Sequence, residues 1–128
     1  MRTLVAMIAL TFVFAVPGMA QKVKRQANVI TSEEIDAIRS ETTDAYAIVQ
    51  RLRPQYLRVR GMVEADPARR NEYHGPRVIV DGTPRGEMDA LKQVSATAVK
   101  EIRYLSASDA TTAYGTGYDG GAIVVLTH

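Results

Sequence analysis

The last apolar run of this chain, Ala122-Ile123-Val124-Val125-Leu126, has no polar residue at any position. Successive side chains of an extended backbone point to opposite sides, so such a run predicts a strand buried on both faces. One strand cannot cover itself. The chain must therefore set other strands beside this one and lay helices across it. Arg77-Val78-Ile79-Val80-Asp81 supplies a second strand, three β-branched residues closed by the turn-forming pair Asp81-Gly82, after which Pro84 and Gly86 prolong irregular backbone. Glu101-Ile102-Arg103-Tyr104-Leu105 alternates and predicts a third. Tyr56 to Arg60 alternates as well, with Leu57 and Val59 on one face.

Between these runs lie helical signals. Thr31 stands three residues before Glu34, the spacing at which a hydroxyl and a carboxylate reciprocally cap a first turn. Ile35 and Ile38 continue that turn, and Ala45, Ile48, Val49 and Leu52 recur at helical spacing until Pro54. Two short helices are predicted, over about 32–39 and 43–52. Residues 62–76 read as a polar loop. Met88, Leu91 and Val94 are spaced like a further short helix, and Ser108-Asp109 can cap one more helical turn up to Tyr114. Strands interleaved with helices in this order predict an α/β (α+β) fold, a small mixed sheet with short helices.

The N-terminus is of another kind. Arg2 precedes the uncharged run Leu4–Val16, and Gly18-Met19-Ala20 places small residues before Gln21. That is the pattern of a secretory signal peptide over 1–20, cut between Ala20 and Gln21. Thirteen mostly apolar residues are too few to span a bilayer, which needs about 20. Residues 21–29 read as a polar, basic leader, and 30–128 as one domain. After the predicted cut, 108 residues carry 15 basic and 14 acidic side chains, and six Tyr are the only aromatics. A net charge of +1 gives no footing for nucleic acid. With no Cys in 128 residues there is no disulfide, thiolate metal site or cysteine nucleophile. The expected location is the exported side of the cell, with no transmembrane segment once the signal is removed.

No motif points to catalysis. Gly115, Gly117 and Gly120 satisfy G-x-G-x-x-G, but a helical turn precedes them and a strand follows, the reverse of a dinucleotide fingerprint. They are better read as positions of unusual backbone angle and close approach. His74 and His128 are too few for a zinc site, and no nucleophile is spaced with a base. The expectation is a non-enzymatic chain with no metal and no cofactor. Charge is sorted along it: residues 31–50 hold five acids and one Arg, and 51–70 hold six Arg and two acids. Arg51, Arg53, Arg58 and Arg60 are thus candidate contacts for an acidic partner face or phosphate groups, or else a solvated face paired to its acidic neighbour.

Several of these segments, taken in order, resemble a known family. Val80-Asp81-Gly82, then Val99 to Leu105, Ala113-Tyr114-Gly115 and Gly120-Gly121-Ala122-Ile123 follow the pattern of the plug domain of TonB-dependent outer-membrane receptors. Ile30-Thr31-Ser32-Glu33-Glu34-Ile35 is similar to that family's "I-T-x-E-x-I" start. The resemblance covers nearly all of the chain after the predicted cut and implies a plug-like fold, with Val80, Asp81, Gly82, Tyr114, Gly115, Gly120 and Gly121 as its structural motif residues. It also implies a periplasmic or outer-membrane-associated location and a binding or gating role. In the family the strand after Gly-Gly leads into a large barrel, which 128 residues cannot hold. The expectation is a free-standing plug-like module whose partner is an outer-membrane barrel or envelope protein. A structural or interaction protein that reuses the fold with an Arg-rich contact surface is the alternative. Oligomeric state is not legible.

Overall fold

The computed structural model describes residues 26–59, 68 and 73–128. The signal segment 1–20, its cleavage pair Ala20 and Gln21, Arg60 and most of the polar loop lie outside these residues. The elements run β1 (Val29–Ile30), α1 (Ser32–Ile38), α2 (Ala45–Leu52), β2 (Arg77–Val80), β3 (Thr83–Gly86), β4 (Val99–Leu105), α3 (Ala107–Tyr114) and β5 (Ala122–Thr127). Short 3-10 segments occupy Arg39–Glu41, Pro54–Leu57 and Met88–Gln93. The five strands form one sheet in the order β1-β4-β5-β2-β3. The pair β2/β5 is parallel and the other three are antiparallel, so the sheet is mixed and the fold is α+β.

β5 lies between β4 and β2, where its composition requires it to be. Its alternating side chains enter two different clusters. Ile123 and Val125 join Ile30, Ile35, Ile48, Val49, Val78 and Ile102 beneath α1 and α2, forming the main core. Ala122 and Val124 join Ile79, Ala110 of α3 and Tyr118 on the opposite face. Burying one aliphatic side chain of this size stabilises by about 1.5–3 kcal/mol, so the two clusters together supply the main driving force for folding.

Local chemistry sets the helix ends. The Thr31 hydroxyl accepts from Glu34 N while Glu34 Oε2 accepts from Thr31 N at 3.1 Å, the reciprocal cap expected at α1. Asp44 caps α2 by accepting from Ala47 N at 2.8 Å. The cap of α3 is Ser106, which accepts from Asp109 N at 3.2 Å, two residues before the expected Ser108. Arg39, just past α1, donates to the carbonyls of Ala96, Thr97 and Val99 ahead of and at the start of β4.

Three expectations are corrected. The strand expected over 56–60 is not formed across its described part, 56–59: Pro54–Leu57 form a 3-10 turn, and Val59 is 59% exposed. Pro54 presets that turn, and Tyr56 is drawn inward by a 2.6 Å hydrogen bond to the Ala27 carbonyl and by stacking on Tyr104 at 5.1 Å. Burial pushes the Tyr56 hydroxyl above its usual pKa. The sheet begins at Val29, inside the expected leader. Val29 and Ile30 pair with Arg103 and Ile102 of β4, because Ile30 is fully buried. Finally, Thr83–Gly86 is a strand despite Pro84 and Gly86. It closes a hairpin on β2 at the outer edge of the sheet, with a register slip between Val78 and Ile79.

The leader, α1 and the end of α2 meet at a buried ion pair. Arg53 Nη2 lies 3.0 Å from Glu34 Oε1, with both side chains less than a tenth exposed. The same guanidinium donates to the carbonyls of Gln26 and Leu52 at 3.2 and 3.0 Å. Glu34→Ala or Arg53→Ala is expected to cost about 3–5 kcal/mol, because each leaves a buried charge unpaired. Glu34→Leu together with Arg53→Met is expected to cost much less than the two alanine losses combined. Urea titration of the variants measures both quantities, and strictly additive losses would contradict the pairing.

Candidate functional site

Because β2 and β5 run parallel, the sheet has two distinct ends, and the motif residues divide between them. Val80, Asp81 and Gly82 lie at one end. Tyr114, Gly115, Gly120 and Gly121 lie at the other, around the start of β5, so the structure does not gather the seven into one site.

At the first end Val80 packs half-buried against the main core. Asp81 and Gly82 both take positive φ, 49° and 82°, which makes the two-residue turn whose twist suits a hairpin. The carboxylate reaches beyond its own turn, accepting from Thr127 N at 2.9 Å and from the Thr127 hydroxyl at 2.5 Å. It thereby ties the hairpin to the end of β5. These two hydrogen bonds hold the Asp81 carboxyl below its ordinary pKa.

At the second end α3 stops at Gly115, φ 94°, whose N–H donates to Thr111 O at 2.9 Å. Tyr114 is 38% exposed and leans on Tyr118, ring centroids 5.8 Å apart, which in turn is buried in the smaller core cluster. Gly120 and Gly121 are required by contact. A Cβ on Gly120 would collide with the carbonyls of His74 and Gly75, and one on Gly121 would lie 2.5 Å from Leu105 O. Gly121 also has φ 86°. The incoming chain before β2 and the outgoing end of β4 are thus pressed against this glycine pair.

That close approach shapes a cleft. Tyr73, His74 and Gly75 form one wall, Gly117, Asp119 and Gly120 another, and Arg77 and Glu87 complete a hollow of about 290 Å³. Arg77 Nε donates to Gly117 O at 2.6 Å and pins the glycine loop. Tyr73 folds over Gly75, donates to Pro76 O at 2.9 Å and accepts from Met88 N at 3.2 Å. Burial raises the Tyr73 pKa. A second hollow of about 280 Å³ shares Arg77 and Gly117 and is lined further by Pro84, Gly86, Thr116 and Tyr118. Of the cleft residues, sequence reasoning singled out only His74 with its neighbour Tyr73, Gly117 and Gly120. Tyr73, Arg77, Glu87 and Asp119 carry no common spacing, and the backbone contact at Gly120 is what brings them together.

The arginine cluster is divided. Arg53 is a correction: it turns inward to Glu34 and offers no partner contact. Arg51 is half-exposed and paired with Glu41, the acidic neighbour anticipated for such a face. Arg58 is exposed, and Arg60 lies outside the described residues. Among the described residues no three His, Asp or Glu side chains are grouped to hold a metal ion, and no helix is long and apolar enough to cross a membrane. No family model, curated protein or solved structure matches the chain.

Two variants test this geometry. Gly117 and Gly121 share a positive φ, but only Gly121 is crowded. Gly117→Ala is therefore expected to cost about 1–2 kcal/mol from backbone strain alone, and Gly121→Ala to cost clearly more in the same thermal melts. Equal losses would mean the close approach is not needed. For Asp81, the unfolded chain takes up the proton first, so the carboxylate's contribution is complete above its ordinary value of 3.8 and is lost as pH falls through the lower folded value. The Tm gap between the protein and its Asp81→Asn variant is expected to be open at neutral pH and to close in acid. A gap independent of pH would assign the effect to turn geometry alone.

Proposed function

We propose that this chain is an exported, non-enzymatic, plug-like binding module of the cell envelope, acting beside an outer-membrane barrel or another protein of a TonB-dependent receptor-type system. The observation that carries the reading is the order of its plug-type motifs, each with a steric or hydrogen-bonding task in a mixed-sheet fold. Asp81-Gly82 turns the hairpin and ties it to β5. Gly120-Gly121 admits the neighbouring backbone. The capping box of Thr31 and Glu34 lies at the matching start of the domain. The signal-type N-terminus supports the compartment, and a polar cleft beside a second hollow at one end of the sheet supports a binding role.

The test is expression of the full chain with a C-terminal tag in a Gram-negative cell, followed by crosslinking and fractionation. A mature N-terminus at Gln21, recovery in the envelope and one barrel protein crosslinked in stoichiometric amount are expected. An uncleaved chain in the cytosol, or an envelope chain crosslinked to neither a barrel nor another protein of such a system, would overturn the reading.

A further inference from the structure

The cleft beside Gly117 is built by contacts that leave much of its polar lining uncommitted. Arg77 spends Nε on Gly117 O, and its terminal nitrogens have no hydrogen-bond or ion-pair partner among the described residues. Glu87 and Asp119 line the same hollow, and among the described residues neither carboxylate has a hydrogen bond or ion pair. Elsewhere in this chain neighbouring charges do pair, as Arg51 does with Glu41 and Lys92 with Asp89. The three groups are thus held close in one hollow without satisfying one another.

We propose that this cleft binds a small zwitterion, an amino acid or short peptide, whose carboxylate is taken by Arg77 and whose ammonium is taken by Glu87 and Asp119. A guanidinium matches a carboxylate through paired N–H bonds, and its terminal nitrogens are the unspent donors here. A simple anion such as phosphate would meet one cation and two carboxylates, so the net lining charge works against it. A simple cation would meet the guanidinium. Only a ligand with both charges answers both sets. The hollow of about 290 Å³ is at the small end of ligand clefts, which suits a ligand of this size. The Tyr73 ring, held by Pro76 and Met88, keeps the wall rigid. The inference deepens the binding role proposed above and rests on that reading for the compartment in which the ligand is met.

Isothermal titration of the purified chain with alanyl-alanine, its N-acetyl form, its C-terminal amide and inorganic phosphate tests it. Alanyl-alanine is expected to bind, and each capped form to bind at least about tenfold more weakly, since each loses one charge-assisted contact. Arg77→Gln is expected to abolish binding. Glu87→Gln, at an exposed position whose side chain holds no structural contact, is expected to weaken binding with an unchanged circular dichroism spectrum, and it decides the matter if Arg77→Gln does not fold. No heat with alanyl-alanine, equal affinity for the capped forms, or tighter binding of phosphate would each overturn the proposal. A chain that binds the dipeptide but crosslinks to neither a barrel nor another protein of such a system would sink the envelope reading and leave this one standing; the converse would sink this one alone.

Discussion

Glu34 and Arg53 leave water together at the corner where the leader, α1 and α2 converge, and the cost of doing so makes the corner exacting. A buried carboxylate or guanidinium alone costs several kcal/mol, so each must find its partner in good geometry before the core can close. Glu34 is positioned by the reciprocal cap on Thr31. Arg53 is positioned by the end of α2 just before Pro54 and also gathers the Gln26 carbonyl. Three residues on, Tyr56 holds Ala27 and stacks on Tyr104 of β4. Helix register, leader and sheet face are therefore fixed by one local arrangement, and α2 cannot slide by a turn without stranding a charge.

Much of the fold was legible because its signals are local. β2, β4 and β5 announce themselves by β-branched or alternating residues, and α1 by a cap four residues long. The misreadings share a cause. Tyr56 to Arg60 alternates as a strand would, but Pro54 and a buried tyrosine hydroxyl decide that backbone. Thr83–Gly86 has poor strand composition, yet the turn at Asp81-Gly82 returns it to β2 whatever its propensity. Arg53 looked like surface charge because its partner lies 19 residues away in sequence, with nothing local to mark it. The cleft was hidden for the same reason, since Tyr73 and Asp119 are neighbours only through the contact at Gly120.

The two ends of the sheet differ in kind. At the Asp81 end, backbone turn, carboxylate and Thr127 satisfy one another and leave little to offer a ligand. At the Gly120 end, glycines remove side chains so that backbones can touch, and the carboxylates of Glu87 and Asp119 and the terminal nitrogens of Arg77 are uncommitted among the described residues. Rigidity at one end and unspent donors and acceptors at the other is the division expected of a scaffold that presents a site.

The rims of the sheet are finished differently again. The outermost strand on one side carries Pro84, which has no N–H to give. On the other side β1 is only two residues long, and Arg39 occupies the carbonyls of Ala96, Thr97 and Val99 at the start of β4. Among the described residues neither border presents a long, uninterrupted row of alternating donors and acceptors. Among the described residues the sheet is therefore bounded by composition, with a proline on one edge and a two-residue strand on the other, so its borders are poor templates for a further strand.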